Sequence, residues 1–256
     1  MPADRLELEP VARYRCDFPE KFGLPRQSGL LPLPGRIVFE KPWRDGEALR
    51  GLEGFDRVWL LWGFSGAKRT GIFDTVRPPR LGGNRRMGVF ATRAPNRPNP
   101  IGLSCVALES IEYGTPEGAV LHTLGGDLKD GTPIYDIKPY LSFSDSHPEA
   151  KNGFAEETKD RELEVDWSLI EGIDSDVVGS SSYEPRGNNA VITRLSRGNH
   201  ALLDAKKTEI EYILRQDPRP GYQDNPERVY KMDYAGIRVS FKVQDSKVVV
   251  LTYEYF

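Results

Sequence analysis

The chain has 256 residues, with 35 Lys and Arg against 38 Asp and Glu, a formal net charge of −3 at pH 7, 38% hydrophobic and 29% charged residues. That length supports a buried core in one or two domains without disulfide or metal staples. The composition excludes a disordered or fibrous chain, while Gly 25 and Pro 20 point to many turns.

Taken in chain order, strands are predicted at residues 6–15, 35–40, 57–64, 86–92, 101–113, 119–124 and 134–143, with one short helical turn at 46–52. Short apolar runs broken by Gly, Pro and Asp suggest an all-β sandwich or barrel, and no long 3.6-period helix separates them, which disfavours a parallel βαβ sheet. Residues 147–189 are acidic and polar and read as a linker or insertion. A helix is predicted at 199–217, with Leu202, Leu203, Lys206, Ile210, Ile213 and Leu214 on one face and Asp217-Pro218 as its stop. Strands at 236–242 and 247–255, joined through Gln244-Asp245-Ser246, form a hairpin. The expected organisation is a β domain at 1–146, the linker at 147–189, and a smaller α+β domain at 190–256.

Cys16 and Cys105 are too few for a disulfide framework or a four-cysteine metal site, and His122, His147 and His200 fall in no zinc-ligand spacing. No metal is therefore expected. The N-terminal residues do not read as a signal peptide, so none is expected, and the longest apolar runs are far short of a membrane span. A soluble cytoplasmic protein with no membrane partner is expected.

The charge is unevenly placed. Between Thr75 and Leu108 stand Arg77, Arg80, Arg85, Arg86, Arg93 and Arg97, with no Lys, Asp or Glu. The guanidinium fork suits phosphate and carboxylate, so this stretch points to nucleic acid or another polyanion; the bland alternative is a solvated face paired with acids elsewhere. Within it, Pro95, Pro98 and Pro100 stiffen a loop that carries Arg97 and Asn99, either for a ligand or only as a rigid connection. A second polar cluster runs from Gly125 through Asp127, Lys129 and Asp130 to Asp136, Lys138 and Tyr140. A third is Pro25-Arg26-Gln27-Ser28-Gly29. Nucleotide-binding glycine fingerprints and a GxSxG elbow are absent, which leaves a Rossmann-type site unsupported.

Several stretches together carry a resemblance. They are Phe22-Gly23-Leu24-Pro25-Arg26-Gln27, Leu49-Arg50-Gly51-Leu52-Glu53-Gly54-Phe55, Val76-Arg77-Pro78-Pro79-Arg80-Leu81-Gly82-Gly83-Asn84, Met87-Gly88-Val89-Phe90-Ala91-Thr92-Arg93, Arg97-Pro98-Asn99-Pro100-Ile101-Gly102 and Asp127-Leu128-Lys129-Asp130-Gly131-Thr132-Pro133, with Asp136-Ile137-Lys138-Pro139-Tyr140. A shorter match continues at Gln216-Asp217-Pro218-Arg219-Pro220 with Tyr222. The chain resembles the TsaA-like, TrmO-type tRNA methyltransferases. The resemblance implies a mainly β fold, a small antiparallel β-barrel with an appended domain, working as a homodimer. It implies S-adenosylmethionine as methyl donor, and as substrate a tRNA carrying N6-threonylcarbamoyladenosine next to the anticodon.

On that basis donor contacts map onto Pro25, Arg26, Gln27, Arg93, Cys105, Asp127, Leu128, Lys129 and Asp130. Ser65 and Gly66 stand where the family commonly places a His-Gln pair. Asp130 and Asp136 are candidate general bases, the alternative being that they only cap turns and anchor Lys138. Arg97 or Arg219 would hold the threonyl carboxylate, with Asn99, Lys138 and Tyr140 as further substrate contacts, and Arg77, Arg80, Arg85 and Arg86 would hold tRNA phosphates. Two rival readings are a non-catalytic S-adenosylmethionine- or RNA-binding regulatory module on the same barrel, and a methyltransferase acting on a small metabolite.

Overall fold

The structure is a computed structural model, describing residues 6–64, 74–78, 81, 85–158, 162–170, 200–220, 223 and 225–256. The chain divides into two compact units, Met1–Lys159 with Pro220–Tyr222, and Asp160–Arg219 with Gln223–Phe256.

The first unit is a closed antiparallel barrel. Its strands are β1 (Ala12–Arg15), β2 (Pro34–Phe39), β3 (Arg57–Gly63), β6 (Ile101–Thr115), β7 (Gly118–Leu124) and β8 (Pro133–Pro139), hydrogen-bonded in the order β1-β2-β7-β6-β3-β8. A two-stranded ribbon, β4 (Thr75–Val76) with β5 (Met87–Gly88), lies between β3 and β6 in sequence. The period-2 alternation sends one set of residues inward: Ala12 and Tyr14, Ile37 and Phe39, Val58, Leu60 and Trp62, Val106, and Ala119 and Leu121, with Leu128 and Ile134, form the core. Closure leaves no sheet edge to pair with another chain.

The structure trims several expected strands. β1 begins only at Ala12, because Leu6 to Glu9 are exposed and have no partner strand. The strand expected at 86–92 is two residues long, followed by a 3-10 turn at Val89–Ala91. The strand expected at 134–143 stops at Pro139, and Ser142–Asp145 forms a helical turn, α1. Asp145 closes that turn by accepting from Leu141 N–H at 3.0 Å and from the Trp59 indole at 2.8 Å, which leaves Phe143 87% exposed. The turn expected at 46–52 resolves into two 3-10 turns, Glu47–Leu49 and Leu52–Gly54, each entered from a left-handed glycine, Gly46 and Gly51.

Among the described residues the second unit combines a four-stranded sheet with a sixteen-residue helix, α2 (His200–Arg215), and a helical turn at 168–170. Its strands β10 (Tyr230–Tyr234), β11 (Ile237–Gln244) and β12 (Lys247–Tyr255) are antiparallel, and β9 (Glu164–Asp166) pairs in parallel with β12, giving the order β10-β11-β12-β9. The helix buries Leu203, Ile210, Ile213 and Leu214, the face read from the sequence, and Tyr234 Oη donates to Glu209 Oε2 at 2.5 Å. β9 falls within the span expected to be a linker, so part of that span belongs to the C-terminal sheet. The molecule is therefore mainly β, with a barrel and a smaller α+β region.

Among the described residues no helix is long and apolar enough to cross a membrane, and no group of three or more His, Cys, Asp and Glu could hold a metal ion.

Candidate functional site

One end of the barrel opens into a cavity of about 610 Å³, walled by the ends of β3 and β6 and by two loops. The first loop supplies Leu24, Pro25, Arg26 and Gln27; the second supplies Phe90, Thr92, Arg93, Arg97, Pro98 and Asn99. Trp62, Phe64, Ile101, Gly102 and Leu103 complete the wall, and Asp127 is its only acid among the described residues.

Each loop is tied down before any ligand arrives. Gly29 N–H donates to Gly125 O at 2.8 Å and Cys105 N–H to Ser28 Oγ at 3.0 Å, which clamps the first loop onto the barrel. Arg93 Nη1 donates to Gln27 Oε1 and joins the two loops across the cavity. In the proline-rich loop Arg97 Nη1 donates to Thr92 O at 3.2 Å and Ile101 N–H to Asn99 O at 2.8 Å. Prolines on both sides fix φ, so Arg97 and Asn99 lose little further freedom on binding a ligand.

Below the cavity floor runs a buried polar chain. Trp62 Nε1 donates to Ser104 Oγ at 2.9 Å, and Ser104 Oγ donates to Asp127 Oδ1 at 2.5 Å. The strand register makes this possible. Trp62 sits opposite Gly102 in the β3–β6 ladder, and Ser104 is the next inward residue of β6. Burial pushes the Asp127 carboxyl above its ordinary value, opposed by the Ser104 hydroxyl and by the nearby Arg93 charge.

Residues 13–146 match the model of the tRNA-methyltransferase O N-terminal domain, and residues 192–255 match that of the TrmO C-terminal domain. The chain belongs to the TrmO family. It is 35% identical over 252 residues to the tRNA (adenine(37)-N6)-methyltransferase of Escherichia coli strain K12, covering 97% of each chain. It is 42% identical over 196 residues to the tRNA (adenine(37)-N6)-methyltransferase of Eikenella corrodens, covering 77% of this chain and 95% of that one. A crystal structure of TrmO superposes with a TM-score of 0.68 at 31% identity, covering 97% of this chain and 99% of the other.

Of the positions that the TrmO resemblance marks for the donor, Pro25, Arg26, Gln27, Arg93 and Asp127 line the cavity. The others take different places. Cys105 lies on β6 outside the lining set, Leu128 is buried in the barrel core, and Lys129 accepts from Thr132 through its carbonyl. Asp130, expected as donor contact and base, caps Cys16 N–H at 3.1 Å and meets Arg15 at 3.4 Å, away from the lining. Asp136, the other candidate base, caps Ile137 N–H at 2.9 Å and pairs with Lys138 at 2.8 Å, also away from the lining. Asp130 lies in the turn before β8, whereas Asp136 lies within β8 itself.

Arg97 and Asn99 line the cavity, whereas Arg77, Arg85 and Arg86 are exposed elsewhere on the first unit. Arg85 pairs with Glu157 at 3.0 Å, and Arg86 donates to Thr75 Oγ1 at 3.1 Å. Tyr140 packs on Trp59 with ring centroids 5.9 Å apart. Arg219, in the second unit, has two fork nitrogens taken by Asp217, at 2.8 and 3.1 Å. Ser65, Gly66 and Arg80 lie outside the described residues.

Sequence reasoning missed Trp62, Phe64, Phe90, Thr92 and Ser104. Trp62 and Phe64 fall in an apolar run that reads as core, and no local signal in the sequence shows that this run ends at a cavity wall. Phe90 and Thr92 lie within the quoted Met87–Arg93 stretch without having been assigned a site role; Phe90 lines the cavity and is 80% exposed, a large apolar surface left in water at the site.

Proposed function

We propose that the chain is an S-adenosylmethionine-dependent tRNA methyltransferase that methylates N6 of N6-threonylcarbamoyladenosine at position 37, next to the anticodon, and works as a homodimer. The observation that carries this reading is the cavity at the barrel end, which brings together residues of four separate motif stretches, 22–27, 87–93, 97–102 and 127–133, in a chain similar over 97% of its length to a tRNA (adenine(37)-N6)-methyltransferase.

The residues present fit the donor. Its adenine ring asks for apolar walls, which Trp62, Phe64 and Phe90 supply. The donor's positive charges ask for an acid, which is Asp127; its carboxylate asks for a cation, and Arg26 and Arg93 are at hand. When bound, S-adenosylmethionine supplies a methyl group already activated by its sulfonium. The protein's work is then orientation and exclusion of water around a weakly nucleophilic urea-type nitrogen. Arg97 on its proline-stiffened loop would hold the threonyl carboxylate, with Asn99 in the same lining as a further substrate contact. Arg77, Arg85 and Arg86 hold phosphates, which positions the tRNA without reading its sequence.

The test is a methyl-transfer assay with S-adenosylmethionine and two tRNA pools, one from cells that make threonylcarbamoyladenosine and one from cells that do not, with nucleosides identified by mass spectrometry. Methylation in the first pool alone supports donor, substrate and activity together. Equal methylation of both pools refutes the substrate. Donor binding with no transfer to either pool favours a binding module.

A further inference from the structure

Two polar groups sit behind the cavity wall, the Trp62 indole nitrogen and the Ser104 hydroxyl. Ser104 is fully buried and Trp62 is 8% exposed, so both groups need partners within the protein. They find them in each other and in Asp127.

The direction of this chain of hydrogen bonds follows from proton counting. An indole N–H donates and cannot accept. Ser104 Oγ therefore accepts from Trp62 at 2.9 Å, and its single proton is left to donate to Asp127 Oδ1 at 2.5 Å. That length is typical of a hydroxyl donating to a charged oxygen. Asp127 is thus held as an acceptor from below, in one orientation, while it lines the cavity above. The arrangement exists only because Gly102 lies opposite Trp62: a Cβ on Gly102 would sit 2.2 Å from the indole Cε2.

We propose that Trp62 and Ser104 form a positioning relay that holds the Asp127 carboxylate as an acceptor for the positively charged, proton-donating side of S-adenosylmethionine. This rests on the donor assignment in the proposed function and extends it to residues that do not touch the donor's charged groups. Ser104 acts only through Asp127, so its contribution to donor affinity vanishes when Asp127 is gone.

The experiment is a double-mutant cycle read by calorimetric titration of S-adenosylmethionine into the full chain. Ser104→Ala weakens donor binding about 10-fold, the effect of one hydrogen bond to a charged group. Asp127→Ala weakens it at least as much. Adding Ser104→Ala to Asp127→Ala changes the dissociation constant less than about twofold, because the coupling is complete. Ser104→Thr, which keeps the hydroxyl, stays within about threefold of wild type, a rescue that a purely structural role would not give. Should Ser104→Ala fail to fold, Ser104→Cys, a weaker donor of similar size, carries the same comparison.

Additive losses in the double variant, or an unchanged dissociation constant in Ser104→Ala, overturn the relay. Binding is read without tRNA, so a wild-type protein that binds the donor but methylates nothing fails the proposed substrate alone, and the cycle still decides the relay. A wild-type protein that binds no donor overturns both.

Discussion

Gly102→Ala puts a methyl carbon where the Trp62 indole already is. The added Cβ would lie 2.2 Å from Cε2, 2.4 Å from Cζ2 and 2.6 Å from Cδ2. Ordinary carbon–carbon contact is about 3.5–4.0 Å, so the ring must withdraw by about 1 Å or more. Its surroundings resist that. Trp62 is 8% exposed, meets Phe64 edge-on at 4.4 Å, and donates to Ser104 at 2.9 Å. Overpacking a filled core costs about 1–3 kcal/mol. Pulling the indole off Ser104 leaves a buried N–H unpaired, for about 1–3 kcal/mol more. A mid-range total of about 4 kcal/mol lowers the melting temperature of a domain this size by about 8–16 °C. Donor affinity falls with it, because the same movement slackens Asp127. Gly54→Ala is the control: a Cβ there meets nothing within 4 Å, and such surface changes usually stay within about 0.5 kcal/mol. Differential scanning calorimetry of both variants, followed by donor titration, decides the matter. A melting temperature for Gly102→Ala no lower than that of Gly54→Ala refutes the packing argument.

Further outcomes concern charge. Burial raises the Asp127 carboxyl above its ordinary value, with Ser104, Arg93 and the Ser28 N–H pulling the other way. A raised acid contributes its full stability below about pH 4 and withdraws it as pH rises through the folded value. Asp127→Asn should therefore melt higher than wild type at pH 7, with the gap closing below about pH 4, while donor affinity falls; a variant that melts lower at pH 7 contradicts this. Asp130 bonds Cys16 N–H and Arg15 at a half-exposed position, so Asp130→Asn should cost about 1 kcal/mol or less and leave turnover within about twofold. A tenfold loss of turnover at unchanged melting temperature would make Asp130 the base after all. Arg85→Ala with Arg86→Ala should flatten the plot of log affinity for tRNA against log salt by about 0.7–0.9 for each phosphate no longer neutralised. Arg85 is already partly neutralised by Glu157, so the change should correspond to nearer one phosphate than two, and an unchanged slope removes both residues from the phosphate surface.

The strands and the helix were legible because they rest on local rules, whereas the choice of a barrel over a sandwich came only from the family resemblance. Alternating residues such as Val58, Leu60 and Trp62 declare a half-buried strand, and Leu203, Ile210, Ile213 and Leu214 declare one face of a helix. Short pieces were not legible in this way. β9 has three residues and takes its identity from its parallel neighbour β12, and no periodicity can be read from so short a run. The expected strand at 86–92 gives way after Gly88, where, among the described residues, its pairing with Thr75 and Val76 stops and a 3-10 turn begins.

By itself the sequence determined which side chains are available: an arginine stretch without acids, a proline-stiffened loop holding Arg97 and Asn99, and the Asp127 to Asp130 turn. The tertiary structure alone decided which of them meet. Asp127 and Asp130 are three residues apart, yet one enters the cavity and the other caps Cys16, since the turn places its carboxylates on different neighbours. Ser104 reads as an ordinary strand serine until the β3–β6 register sets Trp62 opposite Gly102 and leaves the indole N–H over the hydroxyl. Register is a property of two strands far apart in sequence. A hydrogen-bonded chain that crosses it cannot be read from either strand alone.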